Sequence, residues 1–155
     1  MTYRITGIDP APYRHLFGLS DEELASHGIV RMTVTAKPSF PCRVSLTDRD
    51  IGEKVLLLNH VSHDVANPYR ASHAIFVTEA VEDAAEYVDE VPPVFGPRVL
   101  SLRGFDKDGM MADAVLSQPG DADAAIRRLF EKPEIATIHA HNATRGCFAA
   151  KIERN

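Results

Sequence analysis

The sequence predicts a single α+β domain over residues 1–155, with a largely antiparallel sheet, a few short helices and a C-terminal β-hairpin. Three observations support this fold class. Many short segments alternate apolar and polar residues, as half-buried strands do. Helical patterns are confined to the N-terminal part and to one late segment, which is typical of an α+β arrangement. Parallel strands need crossover connections, and too few helical patterns separate these strands to supply them.

The N-terminal part contains two brief helical signals between strands. Asp9 and Pro10 provide an N-cap and a first-turn proline for a short helix that runs through Phe17. A capping box at 20–23 begins a second helix, which ends at Gly28. The other elements predicted here are extended segments at 3–8, 29–36, 42–46 and 54–60, a loop at 37–41 and a turn at 48–53.

The strongest helix signal of the chain lies in the second half. It covers Ala122 to Glu131, because Ile126, Leu129 and Phe130 form one apolar stripe. A hairpin is expected around the turn at 106–109, which ends in Asp-Gly. The remaining predicted elements are strands at 73–78, 98–105 and 110–116, loops at 62–72 and 91–97, and a short helical turn or surface segment at 80–87.

The chain ends in a predicted hairpin whose turn covers 142–146. Cross-strand partners point to the same side of a sheet, so the apolar faces of the two strands should match. This matching puts Ala140 opposite Phe148 and therefore His141 opposite Cys147, because a one-residue slip would turn Phe148 to the polar face. The two predicted strands are 135–141 and 147–153, with Ile138 opposite Ala150.

The composition is that of a soluble globular protein, with 45% hydrophobic and 25% charged residues. A net charge of −5 argues against nucleic-acid binding, for which a basic excess is typical. No apolar run is long enough to cross a bilayer, and the first residues lack the apolar stretch of a signal peptide. We therefore expect a cytoplasmic protein whose two cysteines are free thiols.

Five groups of short fragments follow one another along nearly the whole chain. They are Pro41-Cys42-Arg43; Gly52-Glu53 before Val55-Leu56-Leu57; Pro68-Tyr69 before Ile75-Phe76-Val77; Arg98 with Leu102-Arg103-Gly104-Phe105-Asp106; and Ile138-His139-Ala140-His141-Asn142 with Gly146-Cys147-Phe148. Their order and spacing resemble those of an uncharacterised bacterial family, the domain of unknown function numbered 1203. The resemblance implies that the fragments form one domain, and it brings no activity, ligand or catalytic residue with it.

Histidines on the last hairpin suggest a metal as one hypothesis. His139 and His141 should share a strand face, about 6.5–7 Å apart along the strand. With His73 or Cys147 as a third ligand, they would bind Zn²⁺ or Fe²⁺ and leave a position for water. We favour the alternative, in which these are polar histidines on a sheet face and no metal is bound. No other cofactor is predicted.

A thiol and several arginines give two further candidate chemistries. Cys147 would be a nucleophile if His141, across the hairpin, or Arg145, two residues earlier, activated it. The alternative is a small buried cysteine at the start of a strand. Arginine is well suited to binding carboxylate or phosphate groups. The candidate binding residues are His139, Asn142, Arg43, Arg103 and Arg145.

These features give three hypotheses of function. The first is a domain that binds a small, anionic molecule in a polar pocket of histidine, cysteine and arginine. The second is an enzyme that uses Cys147 with His141, or a metal held by His139 and His141. The third is a structural protein or homodimer without a pocket. A deep cavity over the histidine face favours the first two, and a flat face in a symmetric contact favours the third.

Overall fold

The structure is a computed structural model that describes residues 1–80 and 82–155. Its two α-helices in that part of the chain are α1 (Asp21–Ser26) and α2 (Ala122–Phe130). The strands there are β1 (Tyr3–Thr6), β2 (Val30–Thr33), β3 (Lys54–His63), β4 (Ala71–Thr78), β5 (Glu86–Val88), β6 (Leu100–Phe105), β7 (Met111–Ser117), β8 (Thr137–Asn142) and β9 (Phe148–Arg154).

The strands form two antiparallel sheets. The larger has six strands in the order β5-β1-β9-β8-β6-β7. The smaller has three, in the order β2-β3-β4. The prediction of an α+β fold with a largely antiparallel sheet and a C-terminal hairpin is therefore confirmed. In the described residues, no helix is long and apolar enough to cross a membrane.

The larger sheet buries one face against α2. Ile126 and Leu129 of the helix belong to the same buried cluster as Leu102, Ile138 and Ile152 of the sheet. Removal of one such side chain from water contributes about 1.5–3 kcal/mol. The predicted apolar stripe therefore faces the sheet, and it also fixes which face of β8 is left for other contacts.

The smaller sheet contributes a second apolar cluster. Leu56 and Leu58 of β3 and Ile75 of β4 share a face and pack with Leu24 of α1. On the same face His60 pairs with a histidine of β4, beyond the apolar residues. The face of the larger sheet that is turned away from α2 meets this part of the smaller sheet.

Several of the predicted local elements differ from the structure. The 9–17 helix is reduced to a 3-10 turn at Arg14–Leu16, and the predicted extended chain at 42–46 contains a turn at 43–45. The 62–72 loop is shorter at both ends, because β3 runs to His63 and β4 begins at Ala71. In the 80–87 segment the end is strand β5, which pairs with β1, and Val81 lies outside the described residues.

The predicted register of the last hairpin is wrong. Ile138 pairs with Ile152 rather than Ala150, and Ala140 pairs with Ala150 rather than Phe148, so β9 is shifted by two residues from the prediction. A bulge then makes Phe148 the partner of His141. The extra residue, Ala149, reverses the alternation of β9, as bulges do. The α2 side of the sheet accepts Ala149 and Ala150, both buried there, whereas Phe148 enters the space between the two sheets.

Candidate functional site

Five histidines meet between the two sheets: His60, His63 and His73 from the smaller sheet, and His139 and His141 from β8. We call this group the histidine layer. The ring centroids of His63 and His139 are 5.0 Å apart, and those of His73 and His141 are 4.9 Å apart. Both contacts are edge-on, a favourable arrangement for aromatic rings.

Phe148 packs in the middle of the histidine layer. Its ring centroid lies 5.9 Å from that of His60, 5.4 Å from that of His139 and 5.8 Å from that of His141. Phe105 also contacts His139, at 5.0 Å. The bulge in β9 is therefore what allows an aromatic side chain to join the histidine rings.

The two histidines of β8 are neutral at physiological pH. Burial, with smaller contributions from the neighbouring histidines, Lys151 and Arg103, lowers the pKa of His139 to about 3. Burial likewise lowers the pKa of His141 to about 4. A carbonyl only accepts hydrogen bonds, so Nδ1 of His141 donates to the Gly146 carbonyl at 2.9 Å. Nε2 of His141 is then the unprotonated nitrogen.

The smaller sheet holds its histidines by hydrogen bonds as well. The Tyr13 hydroxyl lies 2.6 Å from Nδ1 of His60. Nε2 of His63 donates to the Gly109 carbonyl at 2.9 Å. Burial lowers the pKa of His60 from its ordinary value. These contacts fit a packed and largely uncharged interior layer.

The three histidines predicted as metal ligands do not converge. His73 lies against His141, whereas His139 lies against His63. Over residues 1–80 and 82–155, no group of three His, Cys, Asp or Glu side chains is arranged to hold a metal ion. The interpretation favoured from the sequence is that His139 and His141 are polar histidines on a sheet face. They do share a sheet face, but that face is buried.

A cleft of about 890 Å³ lies beside the histidine layer. We call it the cleft. Its walls come from the smaller sheet, from residues 38–43, from residues 97–99 and from the last hairpin turn. The chemically functional residues that line it are Arg43, His73, Arg98, Asn142, Arg145 and Cys147.

Arg43 is a buried cation at the wall of the cleft, with only 2% of its surface exposed. Its Nε donates to the Phe148 carbonyl at 2.7 Å, and its Nη1 donates to the Pro41 carbonyl at 2.6 Å. Its Nη2 lies 3.2 Å from Sγ of Cys147. In the described part of the chain, no carboxylate accepts a hydrogen bond from Arg43. Burial lowers the pKa of this guanidinium, and the nearby Arg98 acts in the same direction.

The last hairpin turn places Asn142 beside Cys147. The backbone N–H of Asn142 donates to the backbone carbonyl of Cys147, and the backbone N–H of Gly146 donates to the backbone carbonyl of Asn142. Gly146 has a φ of 77°, which glycine adopts without strain. In this turn Nδ2 of Asn142 lies 3.3 Å from Sγ of Cys147. Two N–H groups, from Arg43 and Asn142, therefore point at one sulfur atom.

Two more arginines line the cleft, in different electrostatic states. Arg98 makes a bidentate ion pair with Asp48, with distances of 2.6 and 2.8 Å, so its charge is balanced. Arg145 is exposed at the rim. Asn142 carries a buried Oδ1 that has no hydrogen-bond partner among the described residues.

The structure divides the predicted site residues into two groups. Arg43, Asn142, Arg145 and Cys147 line the cleft together. The others, His139, His141 and Arg103, do not line it: the two histidines are in the histidine layer, and Arg103 pairs with His139 across β6 and β8. Arg103 points away from the apolar side of its strand, and its Nε lies 3.3 Å from Oγ of Ser101.

The predicted pairing of Cys147 with His141 is wrong, because it depended on the predicted register of the last hairpin. Phe148 is the cross-strand partner of His141. The hydrogen-bonding partners of the sulfur are Arg43 and Asn142. The role of Cys147 as a nucleophile stays a prediction, but its neighbours are an arginine and an amide rather than an imidazole.

Sequence reasoning missed several residues of both groups. His60 ends the predicted 54–60 strand and is not among the predicted site residues, and His63 falls in the predicted 62–72 loop. The alternation of Leu56, Leu58 and His60 along β3 is a signal that this face continues to the end of the strand. The ion pair of Arg98 with a distant aspartate had no local signal, because the two residues are fifty positions apart.

Comparison with known proteins identifies the family. The sequence profile described as "Protein of unknown function (DUF1203)" matches residues 39–154. The chain belongs to this family. The match to DUF1203 includes every residue that lines the cleft except Met32 and Pro38. No curated protein and no solved structure matches the chain.

Proposed function

We propose that this DUF1203 protein binds a small anionic molecule in the cleft. The observation that carries the proposal is the burial of Arg43 at the cleft wall without a carboxylate partner. A buried charge is costly unless it is paired and hydrogen-bonded. The two carbonyls that Arg43 contacts satisfy part of its hydrogen-bonding capacity but contribute no opposite charge.

The electrostatics of the cleft favour an anion. Arg43 and Arg145 both line it, and Asp48 already balances the charge of Arg98. Arginine presents several donors in a planar fork that fits carboxylate and phosphate groups. An anion in the cleft would supply the charge that Arg43 lacks.

The size of the cleft fits a small molecule. Ligand sites in proteins commonly have volumes of about 300–1,000 Å³ and combine apolar walls with a few polar groups. The walls here include Met32, Leu57 and Phe76, next to the arginines and Asn142. This combination favours a small organic anion with an apolar part.

The two free cysteines are compatible with a reducing compartment, and we propose a cytoplasmic setting on that basis.

Thermal unfolding in the presence of small anions tests the proposal. Inorganic phosphate, sulfate, malonate and succinate are compared with sodium chloride at equal ionic strength. An anion present at about ten times its Kd adds about 1.4 kcal/mol to the stability of the folded state. For a chain of this length, this corresponds to a rise in Tm of about 4 °C. We expect at least one of these anions to give such a rise.

Two variants locate the bound anion. Arg145→Gln removes the exposed charge at the rim and should reduce the stabilisation, whereas Arg128→Gln, on the outer side of α2, should leave it unchanged. Ala74→Phe places a large side chain on the cleft wall and should abolish the stabilisation, and Ala112→Phe, on the exposed face of β7, is its control. The proposal is wrong if no anion stabilises the protein beyond chloride, or if each variant behaves like its control.

A further inference from the structure

We propose that Cys147 is a nucleophilic thiol that reacts covalently with small carboxylates carrying an electrophilic carbon. This inference deepens the proposed function, since it rests on an anion entering the cleft. It names a class of ligand and the residue that would bond to it.

The hydrogen bonding of the sulfur supports this role. Nη2 of Arg43 lies 3.2 Å from Sγ of Cys147, and Nδ2 of Asn142 lies 3.3 Å from it. The thiolate is the nucleophilic form of cysteine, and a neighbouring arginine stabilises it. Hydrogen bonds in which one partner is charged are stronger than those between neutral groups. Both donors therefore point at the sulfur atom that would carry the negative charge in the reaction.

The donors are also held in place. Two carbonyls, of Phe148 and Pro41, fix the Arg43 guanidinium from other directions. The hydrogen bonds of the last turn fix the backbone of Asn142. Donors that need no reorganisation are the kind that stabilise a charged reacting group effectively.

Two observations besides the thiol indicate a ligand. Arg43 is buried at the cleft wall with no carboxylate partner within the described chain. The buried Oδ1 of Asn142 has no partner in the same set of residues. Both lie in the cleft that Cys147 lines, and Cys147 is partly exposed. The thiol is thus one member of a polar group around a cavity of ligand size.

The other cysteine has a different environment and serves as an internal reference. Cys42 is fully buried in the apolar cluster of the smaller sheet. Its sulfur accepts a hydrogen bond from the Thr78 amide. Free cysteines in such positions act as small apolar residues. Cys42 should therefore react only when the protein unfolds.

Iodoacetate is a suitable probe, because it is a small carboxylate with an electrophilic carbon. The Cys147 thiolate attacks the methylene carbon, the S–C bond forms, and the C–I bond breaks as iodide leaves with the electron pair. The thiol proton goes to solvent. Iodoacetamide undergoes the same displacement and is neutral, so the ratio of the two rates measures the preference for an anion.

The experiment compares these rates at each cysteine of the folded protein by peptide mass spectrometry, at pH 7. The reference is the iodoacetate-to-iodoacetamide ratio of Cys147 in the urea-unfolded chain. We expect the ratio in the folded protein to be higher by about tenfold, since a cationic cleft concentrates anions near its walls. Cys42 should be unreactive toward both reagents until urea is added.

Variants separate the contributions of the cleft. Arg145→Gln should lower the iodoacetate rate more than the iodoacetamide rate, and so lower the ratio of the two. Asn142→Ala should lower both rates, because it removes a donor from the sulfur. Arg128→Gln should change neither. A Cys147 that is silent in the folded protein, or a rate ratio equal to that of the unfolded chain, would overturn the inference.

One variant distinguishes failure of this inference from failure of the proposed function. Cys147→Ser cannot be alkylated at this position but keeps the arginines of the cleft. If anions still raise the Tm of Cys147→Ser while wild-type Cys147 is silent toward iodoacetate, only the covalent step is wrong. If no anion raises the Tm of either protein and the rate ratio is that of the unfolded chain, both proposals are wrong.

Discussion

The histidine layer and the cleft are neighbours, but the buried polar groups of the first are uncharged and the buried arginine of the second is charged. His139 and His141 are buried between the sheets and carry no charge at neutral pH. Arg43 is just as buried, yet it is a cation, and it sits at the wall of an open cavity. Both regions use residues of the same C-terminal hairpin: the histidine layer takes them from its two strands, and the cleft takes them from residues 142–147 around its turn.

The difference shows that burial has separate consequences for imidazole and guanidinium. An imidazole can lose its proton, and a neutral ring then packs against other rings. A guanidinium stays protonated, so it must find acceptors or an opposite charge. The histidine layer is therefore best explained as packing of neutral rings, and the cleft as a region whose unbalanced positive charge favours an anionic ligand.

Acidification should give the largest effect, and it acts on the histidine layer. Burial lowers the pKa of His139 to about 3 and of His141 to about 4, below the ordinary value of 6.5. Their contribution to stability is complete above pH 6.5 and is lost as the pH falls toward these values, because only the unfolded chain takes up protons there. The loss is about 1.4 kcal/mol per pH unit for each histidine, or about 5 kcal/mol for the pair between pH 6.5 and 4.5.

The double variant His139→Gln/His141→Asn tests this effect. Asparagine at 141 keeps an N–H near the Gly146 carbonyl, and neither new residue titrates. Urea unfolding at pH 7.0 and at pH 4.5 should show a much smaller loss of free energy for the double variant than for wild type. His27→Gln, at an exposed position, is the control and should follow wild type. An equal loss of unfolding free energy in wild type and the double variant would contradict the conclusion that His139 and His141 cause the acid sensitivity.

Replacement of Arg43 should have an intermediate effect. Arg43→Met keeps much of the volume but leaves the Phe148 and Pro41 carbonyls without their donor. We expect a loss of about 3 kcal/mol, the usual cost of breaking a buried charged hydrogen-bond group. Urea unfolding measures it, with Arg128→Met as the exposed control. An unchanged free energy of unfolding would mean that desolvation of the guanidinium offsets all that its hydrogen bonds contribute.

Replacement of Arg103 should have the smallest effect on stability. It tests whether a charge outside the histidine layer changes the pKa values of the histidines in it. The positive charge of Arg103 contributes to lowering the pKa values of His73, His139 and His141. Arg103→Gln should raise those pKa values toward their ordinary value and so make the protein slightly less acid-sensitive. The pH midpoint of acid unfolding should fall by well under one unit, and by less at high salt, because salt screens a partly exposed charge. A midpoint identical to that of wild type would show that solvent already screens Arg103.

Local pattern predicted the features that depend on neighbours in sequence. The stripe of Ile126, Leu129 and Phe130 predicted α2 and its buried face. The capping box at Ser20 predicted α1, where both reciprocal hydrogen bonds form. The alternation of β8 predicted that His139 and His141 share a face. The helical and strand periods are properties of the local backbone, so these conclusions needed no tertiary information.

Features that depend on distant partners escaped the sequence. Strand β5 has no apolar pattern and exists because its backbone pairs with β1. The bulge in β9 depends on which side chains fit beneath α2 and which fit between the sheets. Apolar matching alone misplaced β9 by two residues and could not reveal the bulge, so it gave the wrong partner for His141.

By itself, the sequence determined the fold class, the main helix and a segment rich in reactive side chains, since periodicity and composition encode these directly. Only the tertiary structure decided which of those side chains are interior and which face a cavity. Burial of His139 and His141 requires β3 and β4, and the contact of Arg43 with Cys147 joins residues 104 positions apart. Desolvation and pairing act through space, and the order of residues along a chain does not specify which distant groups will provide them.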